Sequence, residues 1–179
     1  MIFNNIKKVI VFLLTSSVSE AVLLSISFLI NLPLPITALQ ILWVNLVEDS
    51  FPSLALAFEK DNRNRLLQQP PREKDSPILD QEMKTIIFIV GLVTDFLLFI
   101  LFYILLQQEY PLPVIQTMIF AGLALDSLLF VFSTKSLSQN IWEIKAFNNW
   151  HLNIGVLIGL FLLLAVIYFP PLNAVFATR

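Results

Sequence analysis

Residues 36–58 read ITALQILWVNLVEDSFPSLALAF, an apolar run long enough to cross a bilayer, yet it carries two adjacent acids and a proline in its second half. Pro52 has no backbone N–H, and its ring crowds the carbonyl four residues back, that of Glu48, so a regular helical ladder cannot continue through this point. The stretch NLVEDSFP at 45–52 is therefore expected to be a broken helix, with a freed carbonyl beside Glu48, Asp49 and the Asn45 amide. In hydrocarbon, irregular backbone survives only where protein buries it or a wet cavity borders it, and acids at that depth mark sites. Oxygen side chains beside interrupted backbone are a way for helical membrane proteins to hold cations. The plainer alternative is a proline kink with one protonated acid bonded to a neighbouring helix. Two acids side by side argue for the site.

Working outward, 57% hydrophobic and 13% charged residues over 179 positions, with a mean hydropathy of +0.80, describe a polytopic membrane protein. The expected fold is an all-α membrane helical bundle of five transmembrane helices in one domain, with spans near 9–30, 36–58, 84–106, 114–133 and 152–169. There is no cysteine, which excludes disulfides and thiolate metal sites. The basic start and apolar core of MIFNNIKKVIVFLL imitate a signal peptide, but no small-residue cleavage pattern follows, and the segment reads as a retained span.

Ten of the 11 basic residues, Lys7, Lys8, Lys60, Arg63, Arg65, Arg72, Lys74, Lys84, Lys135 and Lys145, fall on one side of this layout, leaving only Arg179 on the other. The positive-inside rule makes that side cytoplasmic, with the N-terminus inside, the C-terminus outside, and cytoplasmic loops at 59–83 and 134–151. The outer joints, NLPLP at 31–35 and QQEYPLP at 107–113, are short and proline-bearing, so the spans they join are expected to be antiparallel neighbours. Trp142 and Trp150 suit the headgroup region as interface anchors.

Apart from Lys84 at a span's end, the ionisable residues inside the spans are Glu20, Glu48, Asp49, Asp95 and Asp126. All are acids. Each charge at the bilayer centre costs about 2.5–3.5 kcal/mol on insertion scales, and no buried Lys or Arg is at hand, so the acids must be protonated or hold a cation. Hard cations such as calcium take carboxylate, amide and carbonyl oxygens. Counting back from the turn at Pro33, Glu20 lies thirteen residues away, Asn45 twelve and Asp49 sixteen, within about a helical turn of one depth at ~1.5 Å per residue. Ser17 and Ser16 share Glu20's face, three and four residues before it, and Ser17 is the preferred of the two as a further ligand. Asp95 and Asp126 are lone acids, either of which suits a hydrogen-bonding partner between helices, with Asp126 the better candidate for a pathway. Gly155 and Gly159 have the small-xxx-small spacing of close helix contacts, and His151 reads as a solvated residue at the interface. No phosphate loop, zinc-ligand cluster or catalytic triad is present in the sequence, and nothing suggests a nucleic-acid partner.

Four segments, in order, resemble the C-terminal membrane region of P-type cation-transporting ATPases of the calcium-pump-like branch. LQILWVNLVEDSFPSLALAFE is similar to that family's sixth transmembrane helix, typically LLWxNLxTDxxPALALG, and RLLQQPPREKDSPIL to the following loop with its PPR signature. SLSQNIWEIKAFNNWHL and YFPPLNAVF are similar to the entry and exit of the ninth helix. The resemblance covers nearly the whole chain and implies the fifth to ninth helices, with Glu20, Asn45 and Asp49 as cation ligands. The resemblance implies calcium as the first cargo, but Ser17 stands where calcium pumps often have asparagine and Glu48 where threonine is usual, which leaves manganese, protons or another cation as alternatives. Neither DKTGT nor TGE occurs in these residues, which implies no nucleotide bound by this chain alone and transport only with the phosphorylation, nucleotide-binding and actuator parts supplied elsewhere. The partners implied are the lipid bilayer, at the plasma membrane, and the remainder of a P-type ATPase, in the same or another chain. The alternative is a non-transporting remnant or regulatory protein that docks on an intact pump.

Overall fold

The computed structural model describes residues 2–57, 81–134 and 149–179. These residues are helical, with no strand among them: α1 (Ile2–Leu29), α2 (Ala38–Trp43), a π-helical turn (Val44–Glu48), α3 (Ser50–Ala57), α4 (Gln81–Gln107), α5 (Leu112–Thr134), α6 (Trp150–Tyr168) and α7 (Pro170–Phe176). Three helical stretches are long and apolar enough to cross a membrane, Asn5–Leu29, Leu112–Thr134 and Trp150–Tyr168, and α4 adds the shorter apolar piece Gly91–Gln107. The second of the five expected spans is divided into three helical pieces, α2, the π turn and α3. Most of the loops expected at 59–83 and 134–151, with Trp142, lies outside the described residues.

Helix ends follow local chemistry. α1 and α4 each stop at a non-glycine residue with positive φ, Asn31 at 55° and Glu109 at 58°. The Leu32 N–H then donates back to the Ser27 carbonyl at 2.9 Å and the Tyr110 N–H to Leu105 at 3.3 Å, the left-handed closure that satisfies last-turn carbonyls. α2 opens with a capping box in which the Thr37 side chain accepts from the Gln40 N–H and the Gln40 side chain accepts from Thr37. Pro170 and Pro171 cannot extend α6, and they start α7 instead.

α1 is the centre of the bundle, packed along α4 and also against α3 and α5, while α6 closes on α3. Two apolar clusters form above and below one level of the bundle. In one, Leu23, Trp43, Phe102, Ile119, Phe120 and Leu163 pack together, with Trp43 edge-on to both Phe120 and Phe176. In the other, Phe12, Leu56, Phe130, Val131 and Leu152 do the same. Along α1, the α2–α3 segment and α5, the acids Glu20, Asp49 and Asp126 fall between residues of the two clusters, so these polar residues share one layer.

The last ten residues fold back over the end of the bundle that holds Trp43. The buried Gln40 amide donates to the Phe176 carbonyl at 3.1 Å, Thr178 Oγ1 donates to the Val166 carbonyl at 2.6 Å, and the Arg179 N–H donates to Thr117 Oγ1 at 2.8 Å. At the other end Asn5 Nδ2 donates to the Ala57 carbonyl at 2.9 Å, tying the start of α1 to the end of α3.

Candidate functional site

The proline does not open the helix; it widens it. The Asp49 N–H reaches the Val44 carbonyl five residues back at 3.1 Å, and Trp43, Val44 and Asp49 all keep right-handed helical angles. The expected unwound segment is thus a π turn ending immediately before Asp49. Such a turn carries one residue more than an α turn, which rotates the side chains that follow it relative to those before, and π turns recur at functional sites. Ladder bonding resumes when the Ser53 N–H donates to the Asp49 carbonyl at 3.2 Å, while Pro52 still offers no N–H to Glu48. The backbone of Phe51 and Pro52 is tight against α6: a Cβ on Gly155 would lie 3.3 Å from the Phe51 carbonyl oxygen. Gly155 and Gly159 are both buried, and it is Gly155 that seats α6 on the proline-bearing segment.

Across this turn α1 presents its acid. Asn45 Nδ2 donates to Glu20 Oε2 at 2.7 Å and to the Ile41 carbonyl at 3.0 Å, which uses both amide protons and leaves the amide oxygen as an acceptor. Glu20 is 7% exposed, and its other oxygen, Oε1, is buried without a hydrogen-bond partner. Asp49, 2% exposed, accepts at Oδ1 from Ser127 Oγ at 2.8 Å and from Ser16 Oγ at 3.2 Å.

Of the five candidate ligands, the structure brings Glu20, Asn45 and Asp49 together. Ser17 is exposed on α1, and Ser16, the less favoured serine, is the one that meets Asp49. The backbone of Glu48 belongs to the π turn, but its side chain lies outside the described residues. Asp95, 1% exposed, accepts from Ser19 across the α1–α4 contact. Ser127 went unnoticed in sequence because a serine's partner depends on which neighbouring helix it faces. Its signal was adjacency to an acid, Asp126.

A cleft between α1, the π turn and α5 is lined by Thr15, Ser16, Ser19, Glu20, Val44, Leu123, Asp126, Ser127 and Phe130. Every hydroxyl in this lining has committed its proton: Thr15 to the Val11 carbonyl at 2.8 Å, Ser16 and Ser127 to Asp49, and Ser19 to Asp95. The cleft therefore offers oxygen lone pairs and no hydrogen-bond donor. Among the described residues no three carboxylates or histidines converge tightly enough to hold a metal by themselves, so any cation here would use mixed ligands, carboxylate with amide and hydroxyl.

Helices of membrane-crossing length define an integral multi-pass membrane protein. The chain belongs to the family described as "Cation transporting ATPase, C-terminus", whose model matches residues 33–179. It is 35% identical over 182 residues to the "Calcium-transporting ATPase" of Bacillus subtilis (strain 168), covering 99% of this chain and 20% of that protein. It is 34% identical over 179 residues to "Calcium-transporting ATPase type 2C member 2" of Rattus norvegicus, and 30% identical over 178 residues to "Calcium-transporting ATPase type 2C member 1" of Homo sapiens. In both cases 99% of this chain and 19% of the relative are covered. The chain spans about a fifth of the length of the curated relatives it matches.

Proposed function

We propose that these residues form the cation-binding membrane part of an ATP-driven pump with calcium as its cargo, Glu20, Asn45 and Asp49 supplying the principal ligands and Glu48 and Ser17 completing the set. The observation that carries this reading is the meeting of Glu20 and Asn45 across the π turn that presents Asp49, in a buried layer without a cationic side chain. A cation bound between the two would have the Asn45 amide turned so that its oxygen, rather than Nδ2, faces Glu20. Manganese is the second cargo to compare, since both ions accept carboxylate and amide oxygens. Ser17 would contribute from the exposed side of α1, where the rest of a pump would pack. Phosphorylation and ATP binding belong to that remainder, in the same or a separate chain, and the whole sits in the plasma membrane with the basic loops in the cytoplasm.

The test is equilibrium binding of calcium and of manganese to the full-length polypeptide in lipid nanodiscs. Asp49→Asn and Glu20→Gln keep the shape of the site and remove one negative charge each, and each is expected to abolish binding at the Asn45 face. Unchanged binding of both ions by both variants would refute the assignment.

A further inference from the structure

Thr15, Ser19, Leu23 and Ser27 recur every four residues along α1 and are all buried, so they form one face of the helix. Two points of contact fix how α4 lies against that face. A Cβ on Gly91 would sit 3.6 Å from Thr15 Cγ2, and Ser19 Oγ donates to Asp95 Oδ1. Both pairs are separated by 76 residues, so the two helices run in the same direction here, with one turn between the contacts.

The two contacts differ in kind. At the first, α4 offers a glycine with no side chain to interlock, and Thr15 spends its hydroxyl on the Val11 carbonyl of its own helix, as Ser27 does on Leu23. Ser19 reaches across instead, to an acid that is 1% exposed and whose second oxygen, Oδ2, is buried without a hydrogen-bond partner. A buried acid is a costly way to accept one hydrogen bond, and the residue it holds immediately precedes Glu20. Successive helical residues point about 100° apart, so while Ser19 faces α4, Glu20 faces Asn45, with Oε2 2.7 Å from Nδ2. Side-chain ends lie about 5–6 Å from a helix axis, so a turn of about 10° carries one through about 1 Å. A shift of that size along the bond takes a 2.7 Å hydrogen bond out of range. The rotation of α1 therefore decides whether Glu20 meets the π turn, and the bond to α4 fixes that rotation one residue away.

We propose that Asp95 is a positioning residue for the cation site: through Ser19 it holds α1 at the rotation that turns Glu20 to Asn45. This role rests on the reading of Glu20 as a cation ligand. What Asp95 supplies is an acceptor aimed at Ser19 rather than a charge, so an uncharged side chain of the same shape serves equally, an exchange that an acid acting as a ligand would not tolerate.

Calcium binding to the full-length polypeptide in nanodiscs tests this. Ser19→Ala and Asp95→Ala are each expected to weaken binding by at least about tenfold, the size of one misplaced contact to the Glu20 carboxylate, and the double variant no further. Asp95→Asn, whose Oδ1 still accepts from Ser19, stays within about twofold of the parent, as does Ser27→Ala, which removes a buried hydroxyl of the same α1 face that bonds within its own helix. Three results overturn the positioning role and leave the cation site standing, even if Asp95→Ala fails to fold: Ser19→Ala binding as the parent does while Glu20→Gln does not, Asp95→Asn binding as weakly as Ser19→Ala, or Ser27→Ala binding as weakly as Ser19→Ala. Unchanged binding in Glu20→Gln would remove the site itself and the role with it.

Discussion

Gly155 offers a graded test of how the proline-bearing segment is held. A Cβ at this position would meet the Phe51 carbonyl oxygen at 3.3 Å and the carbonyl carbon at 3.5 Å, both backbone atoms. At that distance the neighbour must yield by a few tenths of an ångström. Replacing a helical glycine by alanine gains about 0.5–1 kcal/mol of backbone entropy, which roughly offsets so small a shift, so Gly155→Ala is expected to be near neutral. Valine and leucine add carbons beyond Cβ in the same direction, and overpacking of this kind costs typically about 1–3 kcal/mol. The segment that must move to relieve it is Phe51–Pro52, two and three residues past Asp49. If the strain is relieved by displacing Asp49 from Ser16 and Ser127, cation affinity falls by the same energy, about 5- to 150-fold at 1.4 kcal/mol per decade. Thermal unfolding in detergent and calcium binding in nanodiscs, measured on alanine, valine and leucine variants, check the series. A Gly155→Leu protein that unfolds and binds as the parent does would show that α6 does not brace the π turn.

Three further substitutions have definite expectations. Ser127→Ala removes a buried 2.8 Å hydrogen bond to the Asp49 carboxylate, worth about 1.5–3 kcal/mol, and should weaken calcium binding more than Ser16→Ala, whose bond is 3.2 Å and half-buried; titration of the two variants reads the order. Gln40→Leu leaves the Phe176 carbonyl without its buried amide donor, at a cost of about 1–3 kcal/mol, and should speed hydrogen exchange of residues 170–179 over that of α5. Asn31→Gly should be tolerated at φ 55°, whereas Asn31→Val should lower the unfolding temperature by an amount corresponding to about 1–2 kcal/mol, the penalty of the left-handed region for a residue with a Cβ.

The helical class was legible because apolar runs near 20 residues have few other uses, and the depth of Glu20 relative to Asn45 followed from counting residues outward from a proline turn. The response of the helix to Pro52 was not. A proline withdraws one donor and crowds one carbonyl, and the chain can answer by opening or by accepting an extra residue in the turn. The choice rests on what packs behind, here the Gly155 face of α6, more than 100 residues away in sequence. The serines failed for a related reason. Ser16, Ser17 and Ser19 look alike in sequence, but successive residues point about 100° apart, so one meets Asp49, one is exposed and one meets Asp95.

What unites the layer is a shortage of protons rather than the identity of any one ligand. Glu20, Asp49, Asp95 and Asp126 bring carboxyl oxygens to one level, while the donors that reach them are the Asn45 amide and the hydroxyls of Ser16, Ser19 and Ser127. The apolar clusters above and below cannot make up the difference, since Leu, Ile, Val and Phe have no polar hydrogens. The shortage is concentrated on two oxygens, Glu20 Oε1 and Asp95 Oδ2, one on each side of the Ser19–Glu20 step of α1. Neutral protonated acids would bring a proton to each and would remove the need for an ion, yet they would also leave a cleft that selects for nothing. On the proposed reading, oxygen atoms stripped of donors and held on separate helices would form a site whose ligand enters or leaves as those helices shift, the property a transport step requires.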